Sequence, residues 1–149
     1  MPHAEEQHRW AEHALAVLRG AGYHEGGARR AVIELLDGEV CALSAREIDD
    51  ALRRRERAIG RASVYRALEQ LAELKLVQRL EVGQGMARYE PLHPNGEHHH
   101  HLVCESCGRV TPFEDPALEE AIHRLVGRVS FAVGEHDVVL RGSCLACRG

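Results

Sequence analysis

Two cysteine pairs constrain this chain more than any other feature of its sequence. Two residues separate Cys104 from Cys107, and the same spacing separates Cys144 from Cys147. This spacing lets both thiolates of a pair bind one metal ion, and two such pairs complete the closed tetrahedral shell of structural zinc. The pattern therefore predicts a zinc ion that holds the two segments together across 36 intervening residues.

The cysteine pairs have three alternative interpretations, namely disulfides, an iron site and a thiol redox pair. Residues 1–10 are polar, and no long apolar run follows them. We therefore expect neither a secretion signal nor a membrane-spanning segment. The expected location is the cytoplasm, where thiols stay reduced, and this favours metal binding over disulfides.

Four consecutive histidines, at positions 98–101, precede the first cysteine pair. If residues 98–103 form a strand, successive side chains face opposite sides. His98 and His100 then share one face, and His99 and His101 share the other. The alternation predicts that one strand supplies ligands to two separate metal centres, whereas the alternative is a solvated histidine loop.

Charge is distributed unevenly along the chain. The net charge is −4, yet residues 44–80 contain nine arginines and lysines against six acidic residues. A local excess of positive charge indicates contact with phosphates of nucleic acid. The alternative is a solvated helix end around residues 53–57.

Apolar periodicity predicts four helices in the first half of the chain, over residues 5–20, 28–36, 44–52 and 62–74. The third begins with a capping box, Ser44 with Glu47. Strands over residues 76–82 and 86–90, joined by a glycine turn, follow the helices. This order is typical of a winged helix-turn-helix domain.

In such domains the N-terminal part of the second helix of the motif enters the DNA major groove. The apolar face of the fourth helix leaves polar side chains outward, and we predict that these contact DNA: Arg61, Ser63, Tyr65 and Arg66. The alternative is an ordinary amphipathic surface helix.

The second half of the chain has the pattern of a small α/β module. Prolines and a glycine at positions 91–96 mark a hinge. Strands are predicted over residues 98–103, 110–113, 131–133 and 138–140, with a helix that begins at Asp115 and Pro116. The predicted core is too small to be stable without zinc and a partner subunit. The predicted domains are residues 1–90, a hinge of 91–97, and residues 98–149.

Two motifs resemble the ferric uptake regulator superfamily of bacterial metal-dependent repressors. Residues 62–68 read ASVYRAL, and residues 98–108 read HHHHLVCESCG. The resemblance extends from about Leu18 to Cys147. It implies an α+β protein with an N-terminal winged-helix DNA-binding domain and a C-terminal α/β dimerisation domain. It also implies a homodimer that binds an inverted-repeat operator in double-stranded DNA.

Three metal sites and a DNA-contacting set follow from the resemblance, residue by residue. The structural zinc site is formed by Cys104, Cys107, Cys144 and Cys147. A second site comprises His98, His100, Glu119 and His136. The sensor site at the hinge comprises Glu90, His99 and His101. The residues implied in DNA contact are Tyr65 and Arg66, with Arg29 on the second helix.

One departure from the family pattern concerns the sensor site. Where the family often has a histidine before the third helix, this chain has Ala42, with Cys41 beside it. Cys41 is a candidate further ligand, and His93 is the competing candidate. A thiolate would favour zinc over the harder iron(II), whereas the alternative for Cys41 is a small buried apolar side chain.

The sequence therefore predicts a metal-dependent transcriptional repressor of metal uptake and homeostasis genes, with the metal as corepressor. Regulatory zinc is slightly favoured over iron, and an iron-, manganese- or peroxide-sensing regulator is the alternative. A zinc hydrolase with Glu119 as base and a metal buffer are remote alternatives. The chain lacks an HExxH motif, a nucleophile elbow and a phosphate loop, so we expect neither an enzyme nor a small-molecule substrate.

Overall fold

The computed structural model describes residues 3–24, 26–39, 42–56, 59–83, 85–94 and 99–148. The chain divides into two compact units, Met1–His98 and His99–Gly149. Residues 95–97 of the predicted hinge lie outside the described part, as do Cys41 and His98. The predicted domain boundaries at residues 90 and 98 stay a prediction.

Four helices form most of the first unit, and each lies where the apolar periodicity predicted a helix. They are α1 (His3–Gly20), α2 (Ala28–Asp37), α3 (Ala45–Arg54) and α4 (Arg61–Glu73). Ser44 is the N-cap of α3, and its hydroxyl accepts the backbone N–H of Glu47 at 3.1 Å. That bond satisfies one of the N–H groups that the first turn leaves without an intrahelical partner.

Aliphatic side chains from all four helices form one core in this unit. Trp10, Leu36, Ile48 and Leu68 are fully or almost fully buried in it. The indole N–H of Trp10 donates to the carbonyl oxygen of Leu76 at 3.0 Å, so the core also fixes the segment that follows α4. Because α4 buries its apolar stripe here, its opposite face remains available to solvent.

A three-stranded antiparallel sheet completes the first unit as a winged helix. The strands are β1 (Leu43–Ser44), β2 (Val77–Gly83) and β3 (Met86–Pro91), in the order β1-β3-β2. Gly85, in the turn between β2 and β3, has a φ of 72°, which favours glycine. The sequence did not predict β1, because Ser44 was assigned only a capping role.

The second unit contains a mixed three-stranded sheet and two helices. The elements are β4 (His100–Cys104), β5 (Val110–Phe113), α5 (Pro116–Arg128), β6 (Val139–Gly142) and α6 (Leu145–Arg148). The sheet order is β5-β4-β6, with β5 antiparallel and β6 parallel to β4. Asp115 caps α5 as predicted, accepting the N–H groups of Ala117 and Leu118. The predicted α+β class is confirmed.

One prediction for the second unit is wrong. Residues 131–133 form no strand, and Phe131 there is 73% exposed, because nothing in the described part pairs with this segment. The apolar face of α5 is not buried, and Leu125 is 51% exposed. In the last cysteine pair, Cys147 lies within the short helix α6.

Length and apolar character together decide whether a helix can cross a bilayer. None of the helices in the described part of the chain has the length and apolar composition of a membrane-spanning segment.

Candidate metal centres and DNA-contacting surface

The four cysteines converge at one end of the second sheet. Cys104 ends β4, and Cys144 follows β6, which runs parallel to β4 with Gly142 opposite Cys104. The sulfur atoms all lie within 4.8 Å of one another, and Cys107 Sγ is 3.9 Å from Cys144 Sγ. These four cysteines are free thiols. Because a tetrahedron with zinc–sulfur bonds of about 2.3 Å has sulfur–sulfur edges of about 3.8 Å, the cluster fits zinc.

Backbone dipoles and neighbouring sulfurs set the protonation of this cluster. The N–H groups of Cys144 and Cys107 donate to Cys104 Sγ at 3.4 and 3.5 Å. These bonds lower the pKa of Cys104 to about 6, whereas hydrogen bonding of the Cys147 thiol to Cys144 and the other sulfurs raises its pKa to about 12. The N–H of Cys147 lowers the pKa of Cys144. The four sulfurs therefore do not all ionise together at neutral pH unless a cation is present.

A second cluster joins β4, α5 and the segment before β6. His100 is buried in β4, Glu119 lies in the first turn of α5, and His136 precedes β6. One carboxylate oxygen of Glu119 contacts His100 Nε2, and the other lies 2.7 Å from His136 Nε2. The hydrogen bond with His100 is the largest cause of a lowered pKa of Glu119. His98, predicted for this cluster, lies outside the described residues.

The backbone fixes the orientation of the His100 ring. The backbone N–H of Val138 donates a hydrogen bond to His100 Nδ1 at 3.1 Å. The remaining nitrogen, Nε2, is thereby directed to Glu119. Two imidazole nitrogens and a carboxylate oxygen that converge in this way are a donor set suited to a divalent transition metal.

His99 and His101, the other described histidines of the run, form a third group. The rings of His99 and His101 have centroids 4.8 Å apart, and His101 Nδ1 lies 3.7 Å from the Asp137 carboxylate. The structure thus places His99 with His101 and places His100 with Glu119 and His136. Sequence reasoning missed Asp137, although its position directly after His136 was a usable signal.

The other residues predicted for the sensor site belong to the first unit or are not described. Glu90 lies near the end of β3, opposite Gln78 of β2, and its side chain is buried. His93 follows β3 and is half-buried. Cys41 lies outside the described residues.

The predicted DNA-contacting residues lie along α4, with a cationic neighbour on α2. Tyr65 is 44% exposed, and Arg61 and Arg66 are also exposed. Arg29 of α2 stacks on the ring of Tyr23 at 4.7 Å, and its Nε donates to the Gln70 side-chain oxygen at 2.7 Å. A notch of about 250 Å³ lies between the two helices, lined by Ala28, Arg29, Ser63, Arg66, Ala67 and Gln70.

The first unit is a winged helix, which is typical of DNA-binding proteins. The second unit contains clustered metal-ligand side chains. Together they define a protein that binds both metal and DNA. The sequence profile of the ferric uptake regulator family matches residues 21–141, and the chain belongs to that family. Its members are metal-responsive transcription regulators rather than enzymes.

Two relatives and one solved structure illustrate the similarity. The ferric uptake regulation protein of Bacillus subtilis is 34% identical over 134 residues, covering 89% of this chain and 90% of the relative. The peroxide-responsive repressor PerR of Staphylococcus epidermidis is 30% identical over 138 residues, covering 92% and 89%. The Helicobacter pylori ferric uptake regulator, whose structure revealed three functional metal binding sites, superimposes with a TM-score of 0.81 at 26% identity, covering 96% of this chain and 94% of that chain.

Proposed function

We propose that this protein is a homodimeric transcriptional repressor of metal uptake and homeostasis genes, with a metal ion as corepressor. The observation that carries the proposal is the division of the histidine run between different ligand groups in a chain that also contains a winged helix. The repressor role of the S. epidermidis relative and the three metal sites of the H. pylori protein support it.

Cys104, Cys107, Cys144 and Cys147 hold structural zinc in this proposal. The spacing of their sulfur atoms supports four-coordinate binding with no open position. A closed shell of thiolates offers no site for a substrate or a water molecule. The role of this zinc is therefore to join the end of β4 to the segment after β6.

The sensor site consists of Glu90, His99 and His101, with Cys41 or His93 as the further ligand. This assignment rests on the resemblance and on the separation of His99 and His101 from His100. Ligands from both sides of the hinge would restrict the positions that the winged helices adopt. Allosteric coupling of about 1–3 kcal/mol changes affinity about 5- to 150-fold.

A second regulatory or stabilising metal site consists of His98, His100, Glu119 and His136. The convergence of His100, Glu119 and His136 supports this part of the proposal. Because these residues join β4 to α5 and to the segment before β6, we expect occupancy to tune the stability of the second unit.

Zinc is slightly favoured as the regulatory ion because the chain offers a histidine-rich ligand set and, beside Ala42 in the sequence, the candidate thiolate ligand Cys41. Iron, manganese or peroxide sensing is the second candidate function. It is favoured by the iron-related and peroxide-related roles in the names of the B. subtilis and S. epidermidis relatives.

Exposed apolar side chains of the second unit support the homodimer. Isolated exposed apolar residues are ordinary, but an accumulation in a unit with few buried apolar residues indicates a protein interface. These exposed residues are Leu102, Leu125, Val129, Phe131, Val133, Leu140 and Leu145. A two-fold dimer presents two α4 helices to an inverted-repeat operator, with half-sites about one helical turn, roughly 10 bp, or a multiple apart.

Metal-titrated DNA binding under anaerobic conditions tests the proposal. The zinc-loaded protein is mixed with a labelled duplex that the wild-type protein has selected from a random library. Zn(II), Fe(II), Mn(II) and Ni(II) are then titrated separately while fluorescence anisotropy is measured. We expect one ion to raise affinity for the selected duplex far more than for a scrambled one. Equal affinity with and without every ion would contradict metal-dependent repression.

A further inference from the structure

A buried acidic residue lies among the arginines of the winged helix. Asp49 of α3 has a side chain that is only 1% exposed, and its Oδ2 contacts arginines from two helices. Arg61 Nε, at the first residue of α4, donates to Oδ2 at 3.2 Å. Arg53 Nε, one turn further along α3, lies 3.3 Å from the same oxygen.

Stability alone does not explain this carboxylate. Burial of a charged group is costly unless its lone pairs are satisfied, and Asp49 Oδ1 has no hydrogen-bond partner within the described part of the chain. The two arginine side chains are 61% and 58% exposed, so solvent screening weakens both ion pairs. The arrangement is better explained by what it does to the arginines.

Asp49 holds two guanidinium groups near one point and leaves their terminal edges available. Like charges repel, so two arginines stay close together only where an anion offsets the repulsion. Each Nε is directed to Asp49, and within the described residues neither arginine has another hydrogen-bond or ion-pair partner. The four Nη–H donors of each guanidinium thus remain for an external anion, to which two of them can bind as a fork.

The position of this pair suits a DNA phosphate as the external anion. Arg53 lies in the last turn of α3, and Arg61 begins α4, the helix proposed to enter the major groove. The first turn of α4 has no acidic residue, and its N-cap is Gly60, so backbone N–H groups add positive partial charge beside Arg61. In helix-turn-helix domains the helix before the recognition helix crosses the phosphate backbone.

We propose that Arg53 and Arg61 form a clamp for a DNA backbone phosphate and that Asp49 is its positioning residue. This inference rests on the proposed DNA-binding function and assigns an affinity-promoting role to an acidic side chain. A simple electrostatic view makes the opposite prediction, since a negative charge near DNA lowers affinity.

Asp49→Asn is the central variant, and Asp50→Asn is its matched control. Asp50 lies on the same helix, is exposed and forms no ion pair with the described residues. Its substitution by Asn causes the same change in net charge. Affinity is measured by anisotropy over a series of salt concentrations, with metal-loaded full-length protein. The probes are a random-sequence duplex and the duplex selected by the wild-type protein.

One lost phosphate contact reduces the steepness of log affinity against log salt by about 0.9, which is about eightfold in affinity for each tenfold change in salt. We therefore expect Asp49→Asn to bind both duplexes about eightfold more weakly than Asp50→Asn at about 0.1 M salt, taking about 1 M as the salt concentration at which the two variants bind equally. That slope should fall for Asp49→Asn and stay unchanged for Asp50→Asn. A purely structural role would not change the slope selectively. If the two variants bound with equal affinity while the wild-type protein bound normally, the clamp would be refuted and the proposed DNA-binding function would stand.

Two further variants keep the test decisive if Asp49→Asn fails to fold. Arg53→Ala and Arg61→Ala alter exposed side chains, and each should lower the salt slope by about 1. In a folded series, Asp49→Asn should have little effect in the Arg61→Ala background, since the two residues act as one unit. Unchanged slopes for both arginine variants would refute the clamp. Absence of wild-type binding to any duplex would refute the proposed function, and the clamp with it.

Discussion

Loss of the cysteine-bound zinc should unfold the second unit and leave the first unit intact. The two units differ in how much apolar surface they bury. The first unit has a continuous core that includes Trp10, Leu36, Ile48 and Leu68. Among the described residues of the second unit, the buried apolar side chains are Val103 and Cys104. Within one protomer, the second unit therefore depends on something other than a hydrophobic core of its own.

Zinc binding can contribute more to the stability of this unit than its few buried apolar side chains. Full burial of a side chain such as Val103 contributes about 1.5–3 kcal/mol. Structural zinc in small zinc-finger peptides contributes about 10–16 kcal/mol at neutral pH. Because whole domains are stable by only about 5–15 kcal/mol, loss of a contribution of this size should unfold a unit with so few buried apolar side chains. Cys144→Ser removes one thiolate from the closed shell and should reproduce the effect of a chelator.

Hydrogen–deuterium exchange with peptide-level mass spectrometry measures this difference directly. In zinc-free Cys144→Ser protein, peptides from β4, β5 and β6 should lose protection, while peptides from α2 and α4 keep theirs. Ser106→Ala is the matched control, because Ser106 lies between Cys104 and Cys107 but its exposed side chain is not a metal ligand. Wild-type protection of β4 to β6 in zinc-free Cys144→Ser would refute the reasoning.

Four further predictions concern the other groups. His99→Ala with His101→Ala should keep the cysteine-bound zinc but lose the metal-dependent gain in DNA affinity; a full response in anisotropy would reverse the assignment of the histidines. Tyr65→Ala with Arg66→Ala should weaken operator binding by at least the roughly 1–3 kcal/mol of one bidentate base contact, and unchanged affinity would contradict the assignment of α4. Zinc binding at about pH 7.5 should release at least one proton, seen by calorimetry in buffers of different ionisation enthalpy, because the pKa of Cys147 is raised to about 12. Since the pKa of Glu119 is lowered from 4.5, its hydrogen bonds with His100 and His136 should stabilise the second unit above about pH 4.5 when the cysteine zinc is present and Glu119 binds no metal, and this stabilisation should be lost as pH falls through the lowered value; Glu119→Gln should abolish that acid dependence of thermal unfolding, and an identical profile would contradict it.

Features with local causes were the ones that could be predicted from the sequence. The capping box at Ser44 and the start of α5 at Asp115 are short-range hydrogen-bond signals, and both were found in place. The convergence of the cysteines also follows from spacing. By contrast, a strand exists only where another strand pairs with it, so the apolar pattern of residues 131–133 was insufficient. The shortness of β1 gave no periodicity to detect.

The partners of the metal-ligating and DNA-contacting residues were harder to predict. Nothing in the sequence near Glu119 or His136 links them to His100, and their assignment came from the resemblance alone. Asp49 appeared as one of six acids in a basic stretch, because composition does not reveal that its carboxylate is buried between two arginines. Such long-range and interhelical contacts depend on packing, which a single sequence does not display.

Strand β4 connects the metal centres of the second unit through its register with β6. The parallel pairing aligns His101 with Val139 and Cys104 with Gly142. His136 precedes β6 and Cys144 follows it, so one strand pairing brings His136 to His100 and Cys144 to Cys104. A shift of one residue would turn each β4 side chain to the opposite face and separate both clusters at once. Because ligands at either cluster reinforce the same register, we expect metal binding at one cluster to stabilise the geometry of the other, and by linkage the effect would be reciprocal. On the proposed metal assignments, this shared register would let metal-ligand groups supply part of the order that a hydrophobic core supplies elsewhere.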